Sequence, residues 1–166
     1  MRTALVIVDV QRGMSDCGLP LHHGGEVIAV IADLLRRARA AGIPIFHIQH
    51  DGGRGHFLEK GSVGWQHHSW VAPVDGETVI EKRHNSAFQS TDFDLRLRQA
   101  GIGHLIIAGV QTEACVDTTC RAAFALGFKV TLVTDGHTTF DSSVLPAEKI
   151  IAHHNHTLAN RFAKLV

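Results

Sequence analysis

Five short runs of near-continuous Val, Ile and Leu recur along the chain, at 4–8 (ALVIV), 43–48 (IPIFHI), 78–80 (TVI), 105–108 (LIIA) and 129–133 (KVTLV). A strand with one wet face alternates apolar and polar residues. A run without alternation buries both faces, the condition of a strand inside a parallel sheet covered by helices. The intervening segments supply those helices. Residues 25–41 place Val27, Val30, Ile31, Leu34, Leu35 and Ala38 on one face, with Arg36, Arg37 and Arg39 elsewhere. Gly42 and Pro44 then stop the helix. Residues 91–100 open on Thr91 and Asp92, suited to N-capping, and end at Gly101. Residues 113–126 end at Gly127, and 146–160 start with Pro146, a favoured first-turn residue. A short strand is expected at 161–165. Alternation of this kind implies right-handed crossovers and a three-layer α/β/α sandwich, Rossmann-like, on a mostly parallel sheet. No repeat, linker or charge block divides the 166 residues, so a single domain over 1–166 is expected.

Charge narrows the partners. Lys plus Arg number 16 and Asp plus Glu number 16, so no basic field exists to hold a phosphate backbone, and nucleic acid is not an expected partner. No apolar run approaches the roughly 20 residues that cross a bilayer, and no membrane partner is expected. The N-terminal run carries Asp9 and lacks a small-residue cleavage site, so it reads as a strand and not a signal peptide. Three Cys at scattered positions (Cys17, Cys115, Cys120) form no disulfide framework and point to a reducing, cytoplasmic location.

In an open α/β sheet, ligands bind beyond the carboxyl ends of the strands. The residues there are Asp9 and Gln11, His50 and Asp51, Lys82 to Phe88, Gly109 to Cys115, and Thr134 to His137. Cys115 follows the strand LIIAG at the start of a helix. The helix dipole is expected to lower the thiol pKa there, and free N–H groups of the first turn can hold an oxyanion. Asp9 can take and return the thiol proton, and the Lys82 ammonium can keep that carboxylate ionised. Without Cys115 at a third strand exit, Asp9 and Lys82 would read as a structural ion pair.

Three segments carry a resemblance: VDVQ at 8–11, EKRHNSAF at 81–88 and GVQTEACV at 109–116, with VTDGHTTFD at 133–141 after them. In this order, and over nearly the whole chain, they resemble the motifs of the isochorismatase-like cysteine hydrolases. The resemblance implies about six parallel strands with helices on both faces. It implies a triad of Asp9 as general base and acid, Lys82 as its electrostatic partner and Cys115 as nucleophile. It also implies a cis Val110–Gln111 peptide, whose Gln111 amide joins that of Cys115 in an oxyanion hole. Isochorismatases proper lack the cysteine, so hydrolysis of a C–N bond in a small amide, imide or carbamate-like substrate, through a thioester, is the expected activity. No cofactor is expected, and the family relation implies a homo-oligomer.

Nicotinamidases of the same family hold a metal on an Asp-x-His element after the second strand. Here Gly52 and Gly53 follow Asp51, and the motif's His is missing. His50, Asp51, His56, His67 and His68 offer ligands, yet no pair has a recognised spacing. A metal-assisted amidase therefore stays as an alternative, as does a non-enzymatic binding protein on the same fold. Residues 49–77, with six Gly, four His and two Trp, form a long loop of the kind that serves as a lid. Trp65, Trp70 and Phe88 are candidate pocket walls. Gln11 and Asn85 are candidate orienting groups, and His137 is a candidate pocket border or turn residue. Glu113 serves the helix dipole, Cys120 is read as core, and Cys17 is unassigned.

Overall fold

Ala4, Leu5, Val6, Ile7 and Val8 are all buried, on both sides of one strand, β1 (Arg2–Val8). That double burial is what the unbroken apolar run requires, and it places β1 at the centre of a sheet. The computed structural model describes residues 1–16, 20–159 and 161–166; Cys17 lies outside them. Around β1 stand β2 (Ile45–His50), β3 (Thr78–Lys82), β4 (Ile102–Val110), β5 (Lys129–Thr138) and β6 (Lys164–Leu165), in the order β3-β2-β1-β4-β5-β6. Every pairing is parallel. The helices are α1 (Arg12–Asp16), α2 (Gly24–Ala40), α3 (Phe93–Gln99), α4 (Asp117–Ala125) and α5 (Ala147–Leu158).

The sheet separates two apolar layers. On one face, Ile31 and Leu35 of α2 pack on Leu5, Ile7 and Val133. On the other, Phe93 and Leu97 of α3, Cys120 of α4 and Leu158 of α5 pack on Val6, Ile107 and Leu132. Each such side chain removed from water stabilises the fold by about 1.5–3 kcal/mol. The three-layer α/β/α sandwich follows directly. Several boundaries differ from the sequence reading. β4 begins three residues before its apolar core and ends on Val110, and β5 continues to Thr138, because strand pairing extends beyond both apolar runs. The five-residue α1 has too few residues for a periodicity to show.

The long segment after β2 is not a loose lid. Its backbone is pinned to residues 10–13 by Arg12 N–H to Gln66 O (2.8 Å), Gly13 N–H to Gly64 O (2.8 Å) and His68 N–H to Val10 O (3.0 Å).

The strand order turns back between β1 and β4, and there the two strands come unusually close. Gly109, with φ +135°, pairs with Val8. A Cβ at Gly109 would lie 2.1 Å from the Val8 carbonyl oxygen, a backbone atom that cannot swing aside. Gly109→Ala is expected to cost about 2–4 kcal/mol, through the clash and the unfavourable φ. Urea unfolding checks this; an unchanged midpoint would show that the strands can part at no cost.

A buried polar network underlies the β2–β3 edge. His47 Nε2 lies 2.8 Å from Glu77 Oε2, and Arg39 reaches Glu77 Oε1 at 2.7 Å. Burial raises the Glu77 pKa, but Arg39, the Val74 N–H and His47 outweigh it and hold the carboxyl at about 2. The neighbouring His67 is pushed down to about 4 by burial and by His47. A depressed imidazole pKa means that the unfolded chain takes up a proton first as pH falls. Stability present above the unfolded value near 6.5 is therefore lost as pH falls toward 4. His47, His50, His104 and His137 are shifted in the same direction by burial. The urea midpoint is expected to drop between pH 6.5 and 4, and His67→Gln to flatten that slope.

Candidate active site

The carboxyl ends of β1 to β4 meet at one point. β1 ends at Val8, and Asp9 turns out of the strand with φ +51° while its N–H still bonds Ile48 O at 3.0 Å. Asp is among the few residues that tolerate this left-handed region. His50 and Lys82 end β2 and β3 and are direct register partners. Cys115 lies beyond β4, in a single π-helical turn (Thr112–Val116) that leads into α4.

Lys82 is the hub. Its side chain is fully buried, and its Nζ lies 2.6 Å from Asp9 Oδ2, 3.0 Å from His50 Nδ1 and 3.3 Å from Cys115 Sγ. A buried ammonium is costly unless paired, and here all three of its hydrogens have acceptors. Asp9 Oδ2 is thereby engaged. Asp9 Oδ1 is buried, has no hydrogen-bond partner among the described residues and is open to accept a proton. Asp9, His50 and Cys115 present atoms that all lie within 4.8 Å of one another. Cys115 Sγ also stands 3.9 Å from Asn85 Oδ1.

The thiol is not the acidic one expected from its place at a helix start. Burial, and next the Asp9 carboxylate, push its pKa up to about 12, with Lys82 opposing. The dipole of one turn is outweighed by desolvation of the thiolate. The resting sulfur keeps its proton, so nucleophilic chemistry here needs a base.

These groups open on a cavity of about 430 Å³. Asp9, Cys115, Val110, Gln111 and Asn85 line it, and Lys82 stands just behind. The Val110–Gln111 peptide is cis. The Gln111 N–H donates to no described group, and Cys115 contributes its N–H to a helix turn whose first N–H groups lack intrahelical acceptors. A larger cleft of about 1040 Å³ lies between α2 and β4–β6. It includes Lys129 and Val130, at the amino end of β5, and does not touch the acid or the thiol.

Several residues weighed for the pocket stand elsewhere. Gln11 is a brace: its amide bonds both the N–H and the C=O of His50 (2.8 and 2.9 Å) and the Trp65 carbonyl (2.9 Å). Phe88 is core, packed against Phe93 and Phe128. Trp65 lies beneath Lys60, away from the cavity, and Trp70 is exposed. His137 is buried and ties Thr112 Oγ1 to Asn155 Oδ1, so it supports the π turn from behind. Glu113 accepts from Thr139 Oγ1 at 2.8 Å, which ties the turn to the end of β5. Cys120 is core, as read. Sequence reasoning missed Met14, Leu58 and Phe140 as cavity walls. They come from three separate segments with no shared motif. His50 and His56, weighed as metal ligands, also line it.

The loop after β2 does not fit a divalent ion. The Asp51 carboxylate is spent on Arg83 (2.7 Å) and on the N–H groups of Gly53 and Lys60. His68 caps the short turn before Val71, and His67 packs on His47. Among the described residues, Asp9, His50 and Cys115 form the one grouping with metal-like spacing, and the Lys82 ammonium already touches all three.

A sequence model of the isochorismatase domain matches residues 3–164. Streptothricin hydrolase of Streptomyces noursei is 36% identical over 143 residues, 86% of this chain and 57% of that protein, so the chain spans little more than half of that relative. Ureidoacrylate amidohydrolase of Pseudomonas syringae is 30% identical over 169 residues, covering 80% of this chain and 69% of that one. The crystal structure of an isochorismatase from Pseudomonas putida superimposes with a TM-score of 0.94 at 32% identity, over 99% of this chain and 87% of that one. The parallel order 3-2-1-4-5-6, the acid, ammonium and thiol at its strand ends, and these matches agree: the chain belongs to the isochorismatase family of hydrolases.

Proposed function

We propose that this protein is a cysteine-dependent hydrolase that cleaves a C–N bond of a small amide, imide or carbamate-like substrate through a Cys115 thioester. The observation that carries this is a buried Asp9 Oδ1, with no hydrogen-bond partner among the described residues, beside a thiol that keeps its own proton. A base with a free lone pair is placed where the only missing step is proton removal. Asp9 takes the proton as sulfur attacks the carbonyl carbon. The N–H groups of Gln111 and Cys115 receive the negative charge on oxygen. The C–N bond breaks as Asp9 returns the proton to nitrogen, and the amine leaves. Water, deprotonated by Asp9, then attacks the thioester, and the acid departs with the thiol restored. Lys82 holds the carboxylate in place throughout and keeps Oδ1 directed at the exchange. Support also comes from a relative named for amide hydrolysis.

The test is hydrolysis of a panel of small amides, imides and lactams by wild type and Cys115→Ala side by side, read as ammonia or carboxylate release. Turnover retained without the sulfur would overturn the reading.

A further inference from the structure

His50 has no part in the steps above, yet it faces both the triad and the cavity. Its main chain is clamped by the Gln11 amide and by its pairing with Lys82, so the ring has little freedom to move. Its Nδ1 lies 3.0 Å from Lys82 Nζ. An ammonium carries three donors and no lone pair, so Nδ1 must be the acceptor. The ring is then neutral and carries its proton on Nε2. Burial, and next the Lys82 charge, disfavour the imidazolium, while Asp9 and Asp51 favour it and His56 does not. No described residue makes a hydrogen bond with Nε2. His50 lines the cavity beside Cys115 and Gln111, and so offers it one fixed donor.

The rest of the cavity limits what that donor can meet. Met14, Leu58, Val110 and Phe140 form an apolar wall. Among the described residues, Asp9 is the one carboxylate in the lining, and no Lys or Arg belongs to it. Lys82 has no hydrogen left for a ligand. An anionic substrate would find no counter-ion, whereas an uncharged one with a second acceptor would satisfy the imidazole.

We propose that His50 is a specificity-determining residue of this site: through Nε2–H it selects uncharged substrates that carry a second carbonyl oxygen flanking the scissile one, as imides and N-carbamoyl amides do. This rests on the hydrolase reading.

The experiment compares succinimide and biuret with 2-pyrrolidinone, which lacks the second carbonyl. Wild type, His50→Phe and His50→Gln are assayed for kcat/KM. Loss of one neutral hydrogen bond is expected to lower the imide-over-lactam preference about tenfold in His50→Phe. His50→Gln, which keeps a donor on one atom and an acceptor on the other, is expected to restore it. An equal loss on all substrates, or an unchanged ratio, overturns the inference and leaves the hydrolase reading standing. A second arm needs no turnover. In 15N-histidine-labelled protein, with the His50 signal assigned by His50→Gln, a neutral Nε2–H ring is expected from pH 7 to 8. An Nδ1–H tautomer or an imidazolium in that range overturns the inference alone. Wild type inert toward every substrate, with no acyl adduct on Cys115 by mass spectrometry, removes the hydrolase reading and this inference together.

Discussion

Cys115→Ala is expected to lower kcat/KM on any amide the wild type turns over by about 10³-fold or more, with little change in the fold. The size of the loss follows from what remains. Asp9 and Lys82 still form their 2.6 Å pair, and the amides of the turn after the cis peptide are still in place. Such a site retains binding and oxyanion stabilisation but has nothing to form the thioester, as happens when a hydrolase nucleophile is removed. The structural cost is small because Cys115 sits at the cavity wall and not among the largest buried side chains. Loss of its sulfur enlarges a space that is already open, so about 1–2 kcal/mol is the upper range. Mass spectrometry adds a second reading: an acyl adduct trapped on wild type with a slow substrate is absent from the variant. Activity within tenfold of wild type would remove the sulfur from the mechanism.

Lys82→Met is expected to destabilise the protein by about 3–5 kcal/mol and to abolish turnover. Methionine follows the lysine chain out to Cε and fills most of its channel, so the cost is mainly electrostatic. Asp9, itself buried, would lose the Lys82 hydrogen bond of Oδ2, while Oδ1 has no partner among the described residues to begin with. A buried carboxylate left without its counter-ion carries the full desolvation penalty. His50 Nδ1 would lose its donor as well. The double variant Asp9→Asn/Lys82→Met removes both charges, and its urea midpoint is expected to recover toward wild type, because replacing a whole buried pair is often close to neutral. That recovery, without recovery of activity, separates the stabilising and chemical parts of the pair. A loss below 1 kcal/mol in Lys82→Met would mean that water reaches Asp9.

Much of the site was legible because a parallel sheet collects its strand ends along one rim. Asp9, Lys82 and Cys115 lie far apart in sequence, but each follows an apolar run. That common position is enough to nominate them, and the family motifs name the same three residues. Phe88, Trp65 and Gln11 failed as pocket residues for a common reason. Sequence locates a residue at a strand end but not the direction of its side chain. Phe88 turns into the layer under α3, and Gln11 turns back along β2. The apolar walls were invisible for another reason: Met14 and Leu58 follow no strand directly, Phe140 follows a β5 that runs well past its apolar core, and only the packing of three segments brings them together.

The chain by itself determined the layer architecture, since unbroken apolar runs can be satisfied only between two covering layers, and it determined which ionisable groups stand at the rim. Only the tertiary structure decided their protonation. A helix start alone predicts an acidic thiol, yet burial beside Asp9 pushes Cys115 up to about 12. The tautomer of His50 depends in the same way on a lysine 32 positions away in the chain that ends 3.0 Å from its ring. Solvation and charge act through space over a few ångströms, and the linear order of residues does not record those distances.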